Sequence, residues 1–431
     1  MSKPEQNTAS PSLPEAIAIW AKIGCLSFGG PAAQIALMHK LVVDQKNWLS
    51  EKQFLSALSF CMLLPGPEAM QLATYAGWRL HGLVGGLIAG LLFVLPGALI
   101  IIGMGTAYAY YGNVPIVEGL FLGVKAAVVI VVVEALIRVA NKALDGIEKW
   151  LVALFAFAGI FFLNTPFPII IICAAVYGYF VSRTDESMQG VAVPGKQQFA
   201  STRRTVLVWL CIWWLPILVL WLFGADALLI HVGTFFSNLA VVTFGGAYAV
   251  LAYLAQDVVT QFEWLSAGEM MDGLGLAETT PGPLILVTEY VGFLAGFKAG
   301  GFGLGIAAAL VTLWVTFVPC FLWIFAGAPY IEWLSDQPKL KGAMSAITAA
   351  IVGVILNLSV WFALHVWFTE VAPIKKGLVT LWTPTMSSLD WRVALLSVAC
   401  AIATFALHWS ILRMLAAAAF FGLALSLMVG T

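Results

Sequence analysis

The sequence predicts an all-α polytopic membrane protein made of two inverted-topology repeats. Each repeat opens with two broken or re-entrant helix pairs and continues as full transmembrane helices. Three observations predict this. Hydrophobic residues make up 61% of the 431 and charged residues only 10%, against about 25% charged in a soluble domain. Pro-Gly-Pro and Phe-Gly-Gly interrupt apolar stretches, where proline removes a backbone donor and helices cannot continue. The same words then return, in the same order, half a chain later.

Leu63-Leu64-Pro65-Gly66-Pro67-Glu68 is answered by Thr280-Pro281-Gly282-Pro283, Pro281 lying 216 residues after Pro65. Ser27-Phe28-Gly29-Gly30 and Thr243-Phe244-Gly245-Gly246 have the same spacing, as do Trp48-Leu49-Ser50 and Trp264-Leu265-Ser266. Tyr75 and Gly77 match Tyr290 and Gly292 at 215, one residue lost, and Gly85-Gly86 match Gly300-Gly301 at the same spacing. Pro96, Pro115 and Gly119 match Pro319, Pro338 and Gly342 at 223. A colinear series at half the chain length is the pattern of a transporter with two related halves.

Taken in order, residues 1–12 are polar, lack a signal peptide's apolar core and read as a disordered tail. The first repeat is expected over 13–182. Its first arms flank the break at Phe28-Gly29-Gly30-Pro31, with Pro31 at a helix start. Its second arms, 51–64 and 68–80, flank Pro65-Gly66-Pro67. Arms this short fall below the ~20 residues needed to cross a bilayer. Full spans follow at 83–106, 115–137, 149–164 and 166–182. A polar linker at 183–204 is expected on the cytoplasmic side, followed by a connecting transmembrane helix within 205–229. The second repeat, 230–431, has arms around 244–246 and 281–283, spans at 302–327 and 341–366, a polar loop at 367–390, and spans at 391–408 and 410–429.

The placement of Lys and Arg chooses between hairpins and broken full spans, because basic loops favour the cytoplasm. The loop joining the first repeat's arm pairs holds Lys40, Lys46 and Lys52, whereas its counterpart holds Asp257, Glu263 and Glu269. If the arms are hairpins, those lysines lie inside together with Arg79, Arg138, Lys142, Lys149, Lys339 and Lys341. Lys375, Lys376 and Arg392 then fall outside, against the rule. The hairpin reading is the better fit. An odd number of spans between equivalent points turns the second repeat upside down.

Irregular backbone at membrane depth is tolerated where protein buries it or where it lines a wet cavity. Four breaks related by a pseudo-two-fold axis are therefore expected to meet near the midplane. Helices starting at Pro31, Pro67, Ala247 and Pro283 would point N-termini at one place, an anion site that needs no metal or cofactor. The hydroxyls of Ser27, Thr243 and Thr280 are candidate donors. Lys125 and Lys22 are cations at membrane depth that could balance a dianion; their repeat mates are Thr348 and Asn238. Glu68, Glu278 and Glu289 are candidate proton carriers. Arg79 and Arg138 read as interfacial anchors. Glu134 and its mate Asn357 read as a polar packing pair.

Other classes find little support. The net charge of −1 gives no field for nucleic acid. The six cysteines, at 25, 61, 173, 211, 320 and 400, form no CxxC pair, and the five histidines have no ligand spacing, so no metal site is indicated. Neither HExxH nor GxSxG occurs, which argues against an enzyme.

The Phe28-Gly29-Gly30-Pro31 break, the Trp48-Leu49-Ser50 loop, Pro65-Gly66-Pro67 and their second copies resemble the chromate ion transporter family in its long two-domain form, over about residues 14–430. The resemblance implies oppositely oriented halves in a bacterial inner membrane. It also implies export of chromate from the cytoplasm, driven by protons, and hence chromate resistance. The residues themselves indicate a small oxyanion; sulfate, an isostere, and a passive anion channel are the alternatives. Chromate or sulfate, protons, membrane lipids and a second copy of the chain are the candidate partners. Ala247 stands where the first repeat has Pro31, so the two Phe-Gly-Gly breaks need not act alike.

Overall fold

A computed structural model describes residues 11–182, 196–244, 246–331, 337–377 and 379–429. The helices are α1 Leu13–Leu26, α2 Gly30–Met38, α3 Glu51–Cys61, α4 Glu68–Tyr111, α5 Pro115–Ala143, α6 Ile147–Leu163 and α7 Phe167–Val181. They continue with α8 Lys196–Leu222, α9 Ala227–Val242, α10 Ala247–Gln256, α11 Ala267–Thr279, α12 Val287–Gly327, α13 Pro338–Trp367, α14 Trp391–Ala401 and α15 Ile411–Val429. Among the described residues, six helices are long and apolar enough to cross a membrane. The chain is a multi-pass, all-α membrane protein.

The α1–α2 and α3–α4 arms fold back as hairpins. α1 breaks at Gly29 and Gly30, both at positive φ, and α2 returns. Lys46, beyond α2, reaches Glu15 at the start of α1 at 2.8 Å, so both ends lie at one face. Trp20 packs on Trp48 with centroids 6.5 Å apart, and the repeat mates Phe236 and Trp264 do the same at 6.5 Å. The Trp-Leu-Ser words thus have two jobs. The Trp closes the first hairpin, and Ser50 or Ser266 caps the next helix in a box with Gln53 or Glu269, satisfying orphan amides.

In α4 the helical path fails at His81 and Gly82. His81 Nε2 lies 2.7 Å from the Pro11 carbonyl, so the arm 68–80 has returned to the face where α1 begins. The corresponding break in α12 is at Gly300 and Gly301. Lys298 just before it meets Glu269 at the start of α11, at 2.9 Å. The second arm pair of each repeat is therefore also a hairpin, followed by a long span.

This corrects the alignment after the second break. A 3₁₀ turn, Leu284–Leu286, precedes α12. α4 begins at Glu68 and α12 at Val287, a spacing of 219: three residues are gained, not one lost. Tyr290 and Gly292 are therefore not the mates of Tyr75 and Gly77. Gly82 corresponds to Gly301, and Arg79 to Lys298. A Cβ on Gly77 would meet Gly85 O and Ala89 Cβ, and one on Gly296 would meet Leu304 O and Ala308 Cβ, all at that spacing.

Three other expectations change at their edges. Ser12 caps α1 by accepting from the Glu15 amide, so the ordered chain begins before residue 13; residues 1–10 lie outside the described residues. Of the 183–204 linker, 183–195 lie outside them, and 196–204 already belong to α8. The polar loop at 367–390 contains an antiparallel hairpin, β1 Val371–Lys376 and β2 Val379–Pro384, for which the first repeat has no counterpart. Arg392, a misfit to the charge rule, is paired with Asp390 at 3.0 Å.

Contacts between helix ends place the rest. The Ser182 hydroxyl, after α7, donates to the Pro338 carbonyl at the start of α13, at 3.0 Å. Tyr110, near the end of α4, packs on Phe297 with centroids 5.1 Å apart. Asn164, between α6 and α7, donates to Thr380 of the β-hairpin at 2.8 Å. α5 lies against α13 and α15, and α13 against α6 and α7.

Candidate functional site

The four breaks are brought together by a reciprocal pair of backbone bonds. The Gly66 amide donates to Thr243 O at 2.7 Å, and the Gly282 amide donates to Ser27 O at 2.9 Å. Each Pro-Gly-Pro turn thus closes on the Phe-Gly-Gly break of the other repeat, the two bonds related by a spacing of 216. Cys320 Sγ would lie 3.0 Å from a Cβ on Gly66, and Gly97 Cα 3.7 Å from one on Gly282; Gly97 and Cys320 are themselves mates at 223. The buried Gln34 amide braces one side, donating to Gly282 O at 2.7 Å and Ser27 O at 3.3 Å. Gln71 braces the other, donating to Pro65 O at 2.6 Å.

These bonds occupy several groups expected to be free. The Ser27 and Thr243 hydroxyls each donate to their own helix, to Ile23 O and Leu239 O, both at 2.6 Å. Thr280 donates to Leu276 O at 2.7 Å. Their single protons are engaged, so in this arrangement none is a donor to a ligand. Phe28 and Phe244 make matching tight turns through their amides to Leu26 O and Val242 O. Pro281 O lies where a Cβ on Gly97 would be, at 2.1 Å. Gly245 lies outside the described residues. α10 starts at Ala247 without a proline, after Gly246 at φ +100°, so the missing proline does not prevent a helix start. The Pro283 start is less direct, because the 3₁₀ turn separates it from α12.

A cavity of about 420 Å³ lies beside this seam. The starts of α2 (Pro31, Ala32) and α10 (Gly246, Ala247, Tyr248) line it, as does Glu68 at the start of α4. Arg138, Lys142 and Lys149 line it too. The first four amides of a helix have no partner within it, Pro31 supplying none, so the wall combines partial positive ends with basic side chains. Arg138 is bonded to Glu134 and Lys149 to Asp145 at 2.9 Å. Among the described residues, Lys142 has no ion-pair partner. Arg138 thus lines a cavity rather than serving only as an interfacial anchor.

The remaining candidates are dispersed. Glu278 is buried and accepts from the Tyr248 hydroxyl at 2.6 Å, which joins it to the cavity wall. Glu289 is fully buried, and among the described residues neither of its oxygens has a hydrogen-bond partner. Lys22 is on an exposed flank of α1. Lys125 is paired with Asp272 at 3.3 Å, and Asp272 also accepts from the Tyr108 hydroxyl at 2.7 Å. Ala135 and Arg138 of α5 line the cavity, and Lys125 lies ten or more residues back along that helix, about 15 Å at 1.5 Å per residue. Gln34 and Gln71 at the seam, and Arg138, Lys142, Lys149 and Tyr248 in the cavity, are the residues that sequence reasoning did not place in the site. A buried glutamine in an apolar arm was the available signal for Gln34 and Gln71.

The chromate transporter family matches this chain twice, over residues 15–179 and 230–423. The chain belongs to that family. The two matches coincide with the two sets of hairpins and spans. A chromate transport protein of Cupriavidus metallidurans is 28% identical over 354 residues, 80% of this chain and 81% of that one. One of Pseudomonas aeruginosa is 30% identical over 350 residues, covering 80% and 79%. The uncharacterized transporter YwrB of Bacillus subtilis is 29% identical over 166 residues, which is 84% of its length but 38% of this chain. A half-length relative matches the double family assignment. No solved structure matches. The relatives are transporters, and the chain is read as one rather than as an enzyme.

Proposed function

We propose that this chromate transporter family member exports chromate from the cytoplasm, loading it in the basic cavity beside the seam. The observation that carries the proposal is the convergence of the α2 and α10 starts with Arg138, Lys142 and Lys149 on one cavity. Backbone amides and cations together suit a tetrahedral dianion. Sulfate, of similar shape and charge, is a competitor that such donors separate weakly, by roughly 1–2 kcal/mol. The inverted arrangement is part of the proposal. Tracing the spans from the hairpin ends brings the first repeat's arms back to the face of Lys46, Lys142 and Lys149. It brings the second repeat's arms back to the opposite face, beside Tyr110. By the basic-loop rule the former face is cytoplasmic, so the basic cavity opens inward.

Accumulation of radiolabelled chromate in inverted vesicles tests this, and absence of gradient-dependent accumulation would sink it. Within that assay Lys142→Gln is expected to raise the KM about tenfold, the loss of one charge-assisted contact, with little change in the maximal rate. An unchanged KM would remove Lys142 from the anion's path. Protons are the proposed driving ion, with Glu68, Glu278 and Glu289 as the carboxylates that could carry them. Glu278 is favoured because Tyr248 links it to the anion cavity. Glu278→Gln keeps an acceptor for Tyr248 but no exchangeable acid. It should leave chromate exchange intact while removing stimulation by an imposed pH gradient; persistent stimulation would exclude Glu278.

A further inference from the structure

A second cavity, of about 450 Å³, lies at the other ends of the helices that wall the first. α10 lines the basic cavity with Ala247 and Tyr248 and the second with Tyr253 and Gln256. α13 contributes Thr348 to the first and Asn357 to the second. α6 presents Lys149 in its first turn to the first cavity and Asn164, just past its last residue, to the second. Nine residues of helix, as between Thr348 and Asn357, span about 14 Å. Over the second cavity lies the β-hairpin that the first repeat lacks, contributing Lys375, Thr380 and Trp382 and tied to Asn164 through Thr380.

The two cavities differ in charge. The basic one has two helix starts, Lys142 without an ion-pair partner among the described residues, Arg138 and Lys149 held by Glu134 and Asp145, and one lining carboxylate, Glu68. The second carries one cation, Lys375, and one carboxylate, Asp257, among amides and hydroxyls. We propose that the second cavity is a low-affinity release site for the transported oxyanion. Neutral donors and Lys375 take over its solvation there, while Asp257 repels it and prevents retention. A dianion leaving a cavity with two helix starts and the unpaired Lys142 for one at the far ends of those helices beside Asp257 meets progressively weaker attraction. A site that holds it too well on the outer side would slow turnover and be refilled from outside. This inference rests on the export reading above.

The two charges make opposite predictions. Right-side-out vesicles are loaded with radiolabelled chromate, and sulfate added outside is titrated as an inhibitor of efflux. Asp257→Asn removes the repulsion and should lower the half-inhibiting sulfate concentration about tenfold while slowing efflux in sulfate-free buffer. Lys375→Gln should raise that concentration by a similar factor, about tenfold. The KM measured from the cytoplasmic face in inverted vesicles should stay within about twofold for both, since charges more than a Debye length away are screened. Asp257→Ser and Lys375→Met repeat the test should either first variant fail to reach the membrane. Shifts in the same direction, no shift in either, or insensitivity of the wild type to outside sulfate would overturn the inference. A wild type that moves no chromate would instead refute the export reading itself.

Discussion

Gly66→Leu should reduce chromate transport to about one per cent of wild type or less, the consequence of a few kcal/mol lost at the site. Gly66 is at φ +119°, where an L side chain costs about 1–3 kcal/mol. A Cβ there would stand 2.8 Å from Gln71 Nε2 and 3.0 Å from Cys320 Sγ. Gln71 cannot retreat freely because it holds Pro65 O. Displacing the turn also breaks the Gly66–Thr243 bond, leaving a buried carbonyl without its donor at about 1–3 kcal/mol. The mate, Gly282→Leu, should fail in the same way, since Gly282 has φ +95° and holds Ser27 O. Gly82→Ala is the control. Gly82 also has positive φ, with ψ −151°, but nothing lies within 4 Å of its Cβ position, so a backbone cost of about 1–3 kcal/mol with no seam bond broken should lower the melting temperature and leave transport in place. Thermal melting of the purified protein separates misfolding from a blocked site. Full transport by Gly66→Leu would show that the seam has no part in conduction.

That seam shows how far the sequence could be read. The breaks themselves were legible, because proline and glycine act locally and their consequences for a helix need no partner. The spacing of 216 was enough to pair them, and the hairpin reading followed from where the lysines sit. What joins the breaks was not legible. The bonds from Gly66 to Thr243 and from Gln34 to Gly282 connect residues far apart in the chain, and no local pattern encodes such a pairing. Lys142 reads as a basic loop residue because a lysine at a span end normally is one; only the cavity that α5 shares with the starts of α2 and α10 shows it another setting. The β-hairpin was passed over because Val371–Lys376 mixes proline and lysine with few apolar residues, and its register depends on the turn at Gly377.

Lys125 is the sharper case, because sequence and structure give it different jobs. As a cation at membrane depth without a charged mate, it is by sequence a candidate anion ligand. In the structure its ammonium is 3.3 Å from Asp272, whose side chain is 3% exposed. Lys125→Ala should therefore act first on stability, leaving Asp272 in a buried setting without its cation at about 3–5 kcal/mol. Adding Asp272→Asn removes the stranded charge and keeps an acceptor for the Tyr108 hydroxyl. The double variant Lys125→Met, Asp272→Asn should thus recover the wild-type melting temperature, since replacing both partners of a buried pair is often close to neutral. Transport is the second readout. If the pair only joins α5 of one repeat to α11 of the other, the double variant regains chromate uptake along with its stability. A double variant that is stable yet does not move chromate would return Lys125 to the anion's path and place a binding group on the far side of the seam from the basic cavity.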